Sequence, residues 1–368
     1  MSEATNLRIA FMGGGAIGSY LGAYLTRAGF APVVIDPWPA NVEAMRTKGI
    51  SITDSQGTFT IPVQGLHLCE LQAVRQPFDL VFIAMKSYDT AWAATLMREY
   101  LAPAGCMVSA QNGLNDETIA HIAGYERTVG CTISSITVAL EGPGIVVRGG
   151  RSGRDRGYDI FRVGELNGVL SPRAQQIAAI LDHVDAARAT TNMWGERWAK
   201  LATNSMGNTL TAMSGLGAEA LADAAPRFPY LRDHVVRETV MVAQALGVSV
   251  EPIAGRPAAA WLTDASAAEP DLPPAGSGGR RARSDGAGGW RASTSQDIAK
   301  GRRTEIDYLN GYVSRRGREV GVPTPVNDAI VTVLKEVEAG SRAPDPANVD
   351  RVWELVQAAR ATSAGRPA

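Results

Sequence analysis

The stretch RIAFMGGGAIGSYLGAYLTRAGFAPVVIDPW, residues 8–38, constrains the fold more than any other part of this chain. A short apolar strand, Leu7 to Met12, runs straight into Gly13-Gly14-Gly15. A helical pattern from Ser19 to Ala28 follows and stops at Gly29, a good C-terminal breaker. A second strand, Pro32 to Ile35, ends on Asp36. Gly13, Gly15 and Gly18 fit G-x-G-x-x-G between strand and helix, and each has a physical task. Gly13 permits a tight turn, Gly15 lets the backbone approach a pyrophosphate, and Gly18 allows close packing of the helix. The anion is held by unpaired N–H groups at the helix N-terminus. Glycines in such a run could serve a structural turn and nothing more. The ordered set of strand, glycines, helix, strand and acid argues instead for a dinucleotide site contacted by Gly13, Gly14, Gly15, Ala16, Ile17 and Gly18. Asp36 bears on which dinucleotide: a carboxylate here accepts ribose hydroxyls and repels a 2′-phosphate, which favours NAD over NADP.

The pattern beyond Asp36 extends this start. A helix is expected over Pro39–Lys48, then two polar strands near 50–53 and 58–63. PFDLVFIAMK (77–86) is an unbroken apolar run that reads as a buried parallel strand. Helix at 90–101, strand at 107–113 and helix at 116–123 follow, the alternation of a doubly wound parallel sheet. Residues 129–165 read as further β structure with a Gly/Arg-rich hairpin, GGRSGRDRG (149–157). From Ser171 the texture turns helical, with helices expected at 171–184, 194–213, 217–222, 229–246, 294–320, 327–338 and 347–360. The stretch 264–290 has almost no large apolar side chains to offset ordering entropy and reads as a flexible insertion. The expected organisation is a dinucleotide-binding domain at 1–190, a helical domain at 191–342 and a short helix with a polar tail at 343–368.

Composition excludes several classes. A formal net charge of −1 gives no electrostatic case for nucleic acid or an anionic membrane. No apolar run approaches the roughly 18 residues of a membrane span. MSEATNLRIAF lacks the basic and apolar regions of a secretion signal, so a cytoplasmic protein is expected. Cys69, Cys106 and Cys131 are an odd set at wide spacing and read as reduced thiols. His67, His121, His183 and His234 do not cluster, so no metal site is expected. The pattern does not fix the assembly; a homodimer is compatible with it.

Two polar constellations stand out in the helical half. In MWGERWAKLATNSMGNTLTAMSGL (193–216), Lys200, Asn204 and Asn208 lie at i, i+4 and i+8 on one helix face. Trp198, Leu201, Met206 and Leu210 around them suggest a helix largely wrapped by protein, where a lysine and two amides need partners that a polar ligand could supply. A solvated stripe on an amphipathic helix is the alternative. In RASTSQDIAKGRRTEIDYLNGYV (291–313), Glu305 is flanked by Ile306, Tyr308 and Leu309 and could point inward. Taken alone, that segment is an ordinary charged helix.

The segments GGGAIGSYLGAYLTRAG, MKSYD, QNG, ERWAKLATNSMGNTLTA and SQDIAKGRRTEIDYLNGYV, in that order, closely resemble the ketopantoate reductases over roughly residues 8–338. The resemblance implies an N-terminal Rossmann domain, a C-terminal all-helical domain and an active site in the cleft between them. It makes Lys200 the general acid and Glu305 the group that hydrogen-bonds the substrate oxygen and orients the lysine. Asn204, Asn208 and Ser293 then hold the substrate's carboxylate and hydroxyl, and Lys86 and Asn112 lie at the cofactor–substrate junction. The implied reaction is hydride transfer between a nicotinamide and the C2 carbonyl or hydroxyl of a 2-oxo/2-hydroxy acid, with ketopantoate/pantoate the best single substrate. Asp36 departs from the basic residue that NADPH-dependent members place near the end of the second strand. That leaves an NAD-dependent dehydrogenase of a different hydroxy acid or secondary alcohol as an alternative, and a catalytically silent NAD-binding regulator as another. Lys200, Asn204 and Glu305 together speak against the regulator, which needs only the glycine loop.

Overall fold

The computed structural model describes residues 7–263 and 292–364. The stretch 264–290, its Arg-rich part at 280–283 and the end of the polar tail lie outside the described residues. The chain divides into two compact units between Met193 and Trp194.

The first unit runs β1 (Ile9–Met12), α1 (Ala16–Arg27), β2 (Val33–Asp36), α2 (Pro39–Thr47), β3 (Ile50–Asp54), β4 (Gly57–Ile61), β5 (Gln64–His67), β6 (Phe78–Ile83), α3 (Thr90–Arg98), β7 (Leu101–Ser109), α4 (Asp116–Ala123), β8 (Thr128–Ile133), β9 (Thr137–Gly142), β10 (Ile145–Gly149), α5 (Gly153–Arg156), β11 (Phe161–Glu165), α6 (Pro172–Asp182) and β12 (Ala187–Ala189). Eight strands form one sheet in the order β12-β11-β8-β7-β6-β1-β2-β5. Every pairing in it is parallel except β11 with β8. β1 and β6 are buried on both faces, which is why their sequences are apolar without alternation. Phe11 and Phe82 stack across them with ring centroids 4.8 Å apart. Because β2 lies on one side of β1 and β6 on the other, the chain reverses its winding at β1. In such sheets ligands bind outside the carboxyl ends of the strands at that switch point.

Two parts of this unit have a placement that the sequence pattern left unassigned. The polar strands near 50–61 do not extend the main sheet but join the β9–β10 hairpin in a separate four-stranded sheet, β4-β3-β10-β9. RSGRDRG, expected as part of a Gly/Arg-rich hairpin, is an anchored corner: Ser152 and Gly153 are buried while Arg151, Arg154 and Arg156 stay exposed. Asp185 accepts from the Arg148 guanidinium (2.6 Å), the Ser152 hydroxyl (2.9 Å) and the Gly153 N–H (3.0 Å), and Ser152 caps α5. Arg148 and Asp185 are each 3% exposed, a buried ion pair whose remaining lone pairs are largely occupied.

The second unit is helical: α7 (Met193–Ser214), α8 (Ala218–Ala224), α9 (Phe228–Ala245), α10 (Ala260–Thr263), α11 (Ser293–Ala299), α12 (Asn310–Val320), α13 (Pro325–Glu338) and α14 (Ala347–Ala364). Its main core joins Leu210 of α7 to Leu231 and Val235 of α9, Ile330 and Leu334 of α13, and Val352 of α14. The continuous helical pattern expected over 294–320 is interrupted. α11 ends near Lys300, a short 3-10 turn spans Ile306–Tyr308, and α12 then restarts. Gly301 adopts φ +60, a left-handed value that closes the earlier helix cheaply.

Candidate active site

The glycine loop joins β1 to α1 at the carboxyl edge of the main sheet. Gly13 has φ +109 and donates its N–H to the Ile35 carbonyl (2.9 Å). A Cβ at Gly13 would come 2.7 Å from the Met85 sulfur and 2.9 Å from the Ala84 backbone, so the turn tolerates only glycine. A Cβ at Gly18 would overlap the Gly13 carbonyl, the close helix packing expected of the last glycine. At Gly15 a Cβ would meet nothing within 4 Å, and Gly15 begins α1 with no side-chain cap. The loop is therefore open at the one glycine that a pyrophosphate must approach, over first-turn N–H groups that no side chain caps. These features fit a dinucleotide.

Gly14 has a different reason to be glycine: a Cβ there would overlap an Asp36 carboxylate oxygen. Asp36 is 6% exposed at the end of β2 and lies against the loop. Its Oδ1 accepts from the Trp38 N–H (2.7 Å) and its Oδ2 from the Asn41 side-chain amide (3.1 Å). Burial pushes the Asp36 carboxyl above its ordinary value, and the donors at Trp38, Asn41 and Gly14 oppose that push. A carboxylate has about four lone-pair sites, so it can still accept from ligand hydroxyls.

Lys86 and Asn112 follow β6 and β7 and so sit at the same edge of the sheet. The MKS and QNG turns are tied together by side chains. Ser87 Oγ donates to the Asn112 carbonyl (3.1 Å), as does Asn115 Nδ2 (2.8 Å). Gln111 Nε2 donates to the Met85 carbonyl and to Thr90 Oγ1, both at 2.9 Å. Lys86 and Asn112 are themselves half-buried. All the expected cofactor residues therefore fall along one carboxyl edge.

In the helical unit Lys200, Asn204 and Asn208 share a face of α7, as the spacing requires. Lys200 and Asn208 are half-buried, while Asn204 is 3% exposed. Asn208 Nδ2 donates to Asn204 Oδ1 at 3.5 Å. Trp198, Leu201 and Leu210 are buried around them, so this is not a solvated stripe. Glu305, 5% exposed, sits just before the 3-10 turn, where the backbone has left helical geometry. Thr304 beside it is fixed by Glu338 of α13, to which its hydroxyl donates at 2.6 Å and its N–H at 3.1 Å. Ser293, half-buried, opens α11. Ile306 and Leu210 belong to one core cluster, and Met206 and Ile298 pack against it. The segments carrying the expected substrate residues are therefore packed together.

Asn41, Asn115 and Glu238 carried no sequence signal of their own, and Ser87 and Asn310 lay inside quoted segments without being singled out. Gln111 belongs to the QNG motif, but its bracing of the MKS turn is visible only in three dimensions. The three cysteines are free thiols, Cys106 and Cys131 buried and Cys69 exposed. Among the described residues no group of three or more His, Cys, Asp or Glu side chains could hold a metal ion, and no helix is long and apolar enough to cross a membrane.

Comparison with known proteins agrees with this arrangement. The family model described as ketopantoate reductase PanE/ApbA matches residues 9–156, and its C-terminal counterpart matches residues 192–338. The 2-dehydropantoate 2-reductase of Archaeoglobus fulgidus is 28% identical over 339 residues, covering 90% of this chain and 98% of its own. The solved PanE/ApbA family ketopantoate reductase of Ralstonia eutropha JMP134 is 26% identical with a TM-score of 0.71, covering 91% of this chain and 99% of that one. A ternary structure of D-mandelate dehydrogenase with NADH and anilino(oxo)acetate shares the fold at a TM-score of 0.73 and 20% identity, with the same coverage. With models of both its parts matched and relatives aligned along nearly their whole length, the chain belongs to the ketopantoate reductase family.

Proposed function

We propose that the chain interconverts a 2-oxo acid and its 2-hydroxy acid, with ketopantoate and pantoate as the substrate pair and NAD(H) preferred over NADP(H). The observation that carries this reading is the pairing of two structures. One is an open glycine loop with a carboxylate laid against it; the other is a half-buried lysine one helical turn from a buried asparagine. The family membership and the 2-dehydropantoate 2-reductase relatives support the substrate class.

A bound nicotinamide dinucleotide supplies or removes the hydride. In this reading Gly13–Gly18 hold the pyrophosphate, Asp36 accepts ribose hydroxyls, and Lys86 and Asn112 border the reacting ring. Asn204, Asn208 and Ser293 donate to the substrate's carboxylate and hydroxyl oxygens. Lys200 stabilises negative charge as it develops on the C2 oxygen and gives that oxygen a proton; in the oxidative direction it takes the proton back. Glu305 accepts from the substrate and from the lysine, which keeps the ammonium turned toward the reacting oxygen. Each donor is on a helix or a braced turn, so little ordering cost falls on the transition state.

Initial rates with purified protein, NADH or NADPH, and ketopantoate test the proposal. Faster turnover with NADH supports both assignments, and NADPH-only turnover contradicts the reading of Asp36. Lys200→Ala should lower kcat by about 100-fold, the scale of lost general acid catalysis, with the Kd for NADH unchanged. Asp36 also favours a second reading, NAD-dependent oxidation of a different hydroxy acid. Turnover of other 2-hydroxy acids with NAD⁺, alongside silence toward ketopantoate, selects it.

A further inference from the structure

Asn41 lies in the first turn of α2 and is 0% exposed, yet its side chain makes three hydrogen bonds to three different segments. Its Nδ2 donates to the Gly14 carbonyl (2.8 Å) and to Asp36 Oδ2 (3.1 Å), and its Oδ1 accepts from the Gly144 N–H (2.9 Å). The amide can point only one way. Two acceptors call for the NH2 group and one backbone donor calls for the oxygen, so a flipped amide would oppose like groups at all three contacts. The partners are themselves held. Gly14's carbonyl also accepts the Ser19 hydroxyl (2.7 Å). Gly144, at the tip of the β9–β10 hairpin with φ +69, donates as above while its own carbonyl accepts the Ser51 N–H (2.8 Å). A Cβ on Gly144 would sit 3.0 Å from the Gly49 carbonyl and 3.1 Å from Ala44 Cβ, so the tip is seated on α2.

We infer that Asn41 is a positioning residue for cofactor discrimination: it clamps the Asp36 carboxylate and the glycine loop in one fixed relation, using the small sheet as its anchor. The inference rests on the reading of Asp36 as the ribose ligand. With Oδ1 tied to the Trp38 N–H and Oδ2 to Asn41, the carboxylate cannot turn away. Ribose hydroxyls meet acceptors that need no reordering, and a 2′-phosphate meets a negative charge that cannot retreat. Removing the clamp lets Asp36 rotate, which weakens NADH binding and relieves the repulsion of NADPH together.

The test is the pair of dissociation constants for NADH and NADPH, measured by nicotinamide fluorescence for the wild type, Asn41→Ala, Asn41→Asp and Asp36→Ala. Asn41→Ala should raise the NADH Kd by about tenfold, the scale of one lost hydrogen bond to a charged group. The NADPH Kd should fall, so the ratio of the NADPH Kd to the NADH Kd falls. Asn41→Asp keeps the volume and an acceptor for Gly144 but sets a second carboxylate against Asp36, and should lower the ratio further. A purely structural role would lower the unfolding temperature and leave the ratio unchanged. If Asp36→Ala shifts the ratio and neither Asn41 variant does, the inference is overturned while the reading of Asp36 survives. If Asp36→Ala leaves the ratio where it was, the reading of Asp36 fails and takes the inference with it.

Discussion

Each unit has a buried hydrogen-bond chain ending on a carboxylate, through Asn41 in the first and through Asn310 and Asn327 in the second, and the two chains are built to opposite ends. Around Asn41 the contacts join the glycine loop, the end of β2 and the β9–β10 tip, at 2.8, 3.1 and 2.9 Å. The carboxylate, Asp36, lies against the glycine loop and is 6% exposed. In the helical unit the chain runs Ser205 carbonyl, Asn310, Asn327, Glu238. Asn310 Nδ2 donates to the Ser205 carbonyl (3.5 Å) and to Asn327 Oδ1 (3.0 Å), and Asn327 Nδ2 donates to Glu238 (2.7 Å). Glu238, on α9, also accepts the N–H groups of Val326 (2.9 Å) and Asn327 (3.0 Å). It thereby caps α13, whose own N-cap residue, Thr324, makes no side-chain cap bond. This second chain is sealed at both ends: Asn310 is 0% exposed and its Oδ1 has no hydrogen-bond partner.

The comparison separates two uses of a buried carboxylate. Asp36 is desolvated but keeps lone pairs for a ligand. Glu238 spends its capacity on three N–H donors and the positive end of a helix, an arrangement that fixes where α13 meets α9. Burial nonetheless pushes Glu238 up to about 7, against the pull of those donors. In the proposed reading one chain shapes recognition and the other shapes the scaffold, so substitutions in them should fail in different assays.

Glu238→Ala should produce the largest loss, about 3 kcal/mol of unfolding free energy, because three buried donors lose their acceptor at once. Urea denaturation measures it; a loss near zero would end the scaffold role. Glu238 should also make stability depend on pH, with a definite sign. Its carboxyl titrates near 4.5 in the unfolded chain and near 7 in the folded one, so the folded form binds the proton more tightly. Its contribution is full below about pH 4.5 and is lost as pH rises through about 7. His234, one turn earlier on α9, is lowered chiefly by burial and acts oppositely, costing stability as pH falls. Urea midpoints at pH 5, 6, 7 and 8 for the wild type and Glu238→Gln isolate the glutamate. The difference between the two proteins should change steadily up to pH 7 and then level off.

Asn310→Ala should cost less, about 1–2 kcal/mol, since it strands the Asn327 carbonyl but also removes an oxygen that had no partner. The smallest stability effect belongs to Asp36→Ala, because removing a buried, desolvated charge offsets the acceptor lost to the Trp38 N–H and the Asn41 amide. The same substitution should raise the NADH Kd by about tenfold. If Asp36→Ala unfolds the protein, or Glu238→Gln alters NADH binding, the division of labour between the two chains is wrong.

What the sequence made legible was local. Gly13, Gly15 and Gly18 announced their loop because each sits at a spacing that only one turn geometry explains. The unbroken run 78–83 announced a two-sided buried strand, and Lys200, Asn204 and Asn208 shared a face because a helix has 3.6 residues per turn. The remainder depended on contacts that no periodicity records. Asn41 meets Gly144 across 103 residues, and Glu238 caps a helix that starts 87 positions later. Asp185 pins the corner of a stretch that read only as a Gly/Arg-rich hairpin. The break at 300–305 was hidden because helical spacing continues on either side of it, although Gly301 marked the place. Gly14 read as a cofactor glycine, and its missing side chain also makes room for Asp36.

The most direct test of the central claim follows the hydride itself. NADH carrying deuterium at the transferable C4 position is mixed with ketopantoate and enzyme, and the product is read by NMR. The account predicts 2-hydroxy acid with deuterium at C2, formed by the wild type and about 100-fold more slowly by Lys200→Ala. A wild-type protein that binds NADH yet transfers no deuterium to ketopantoate would contradict it.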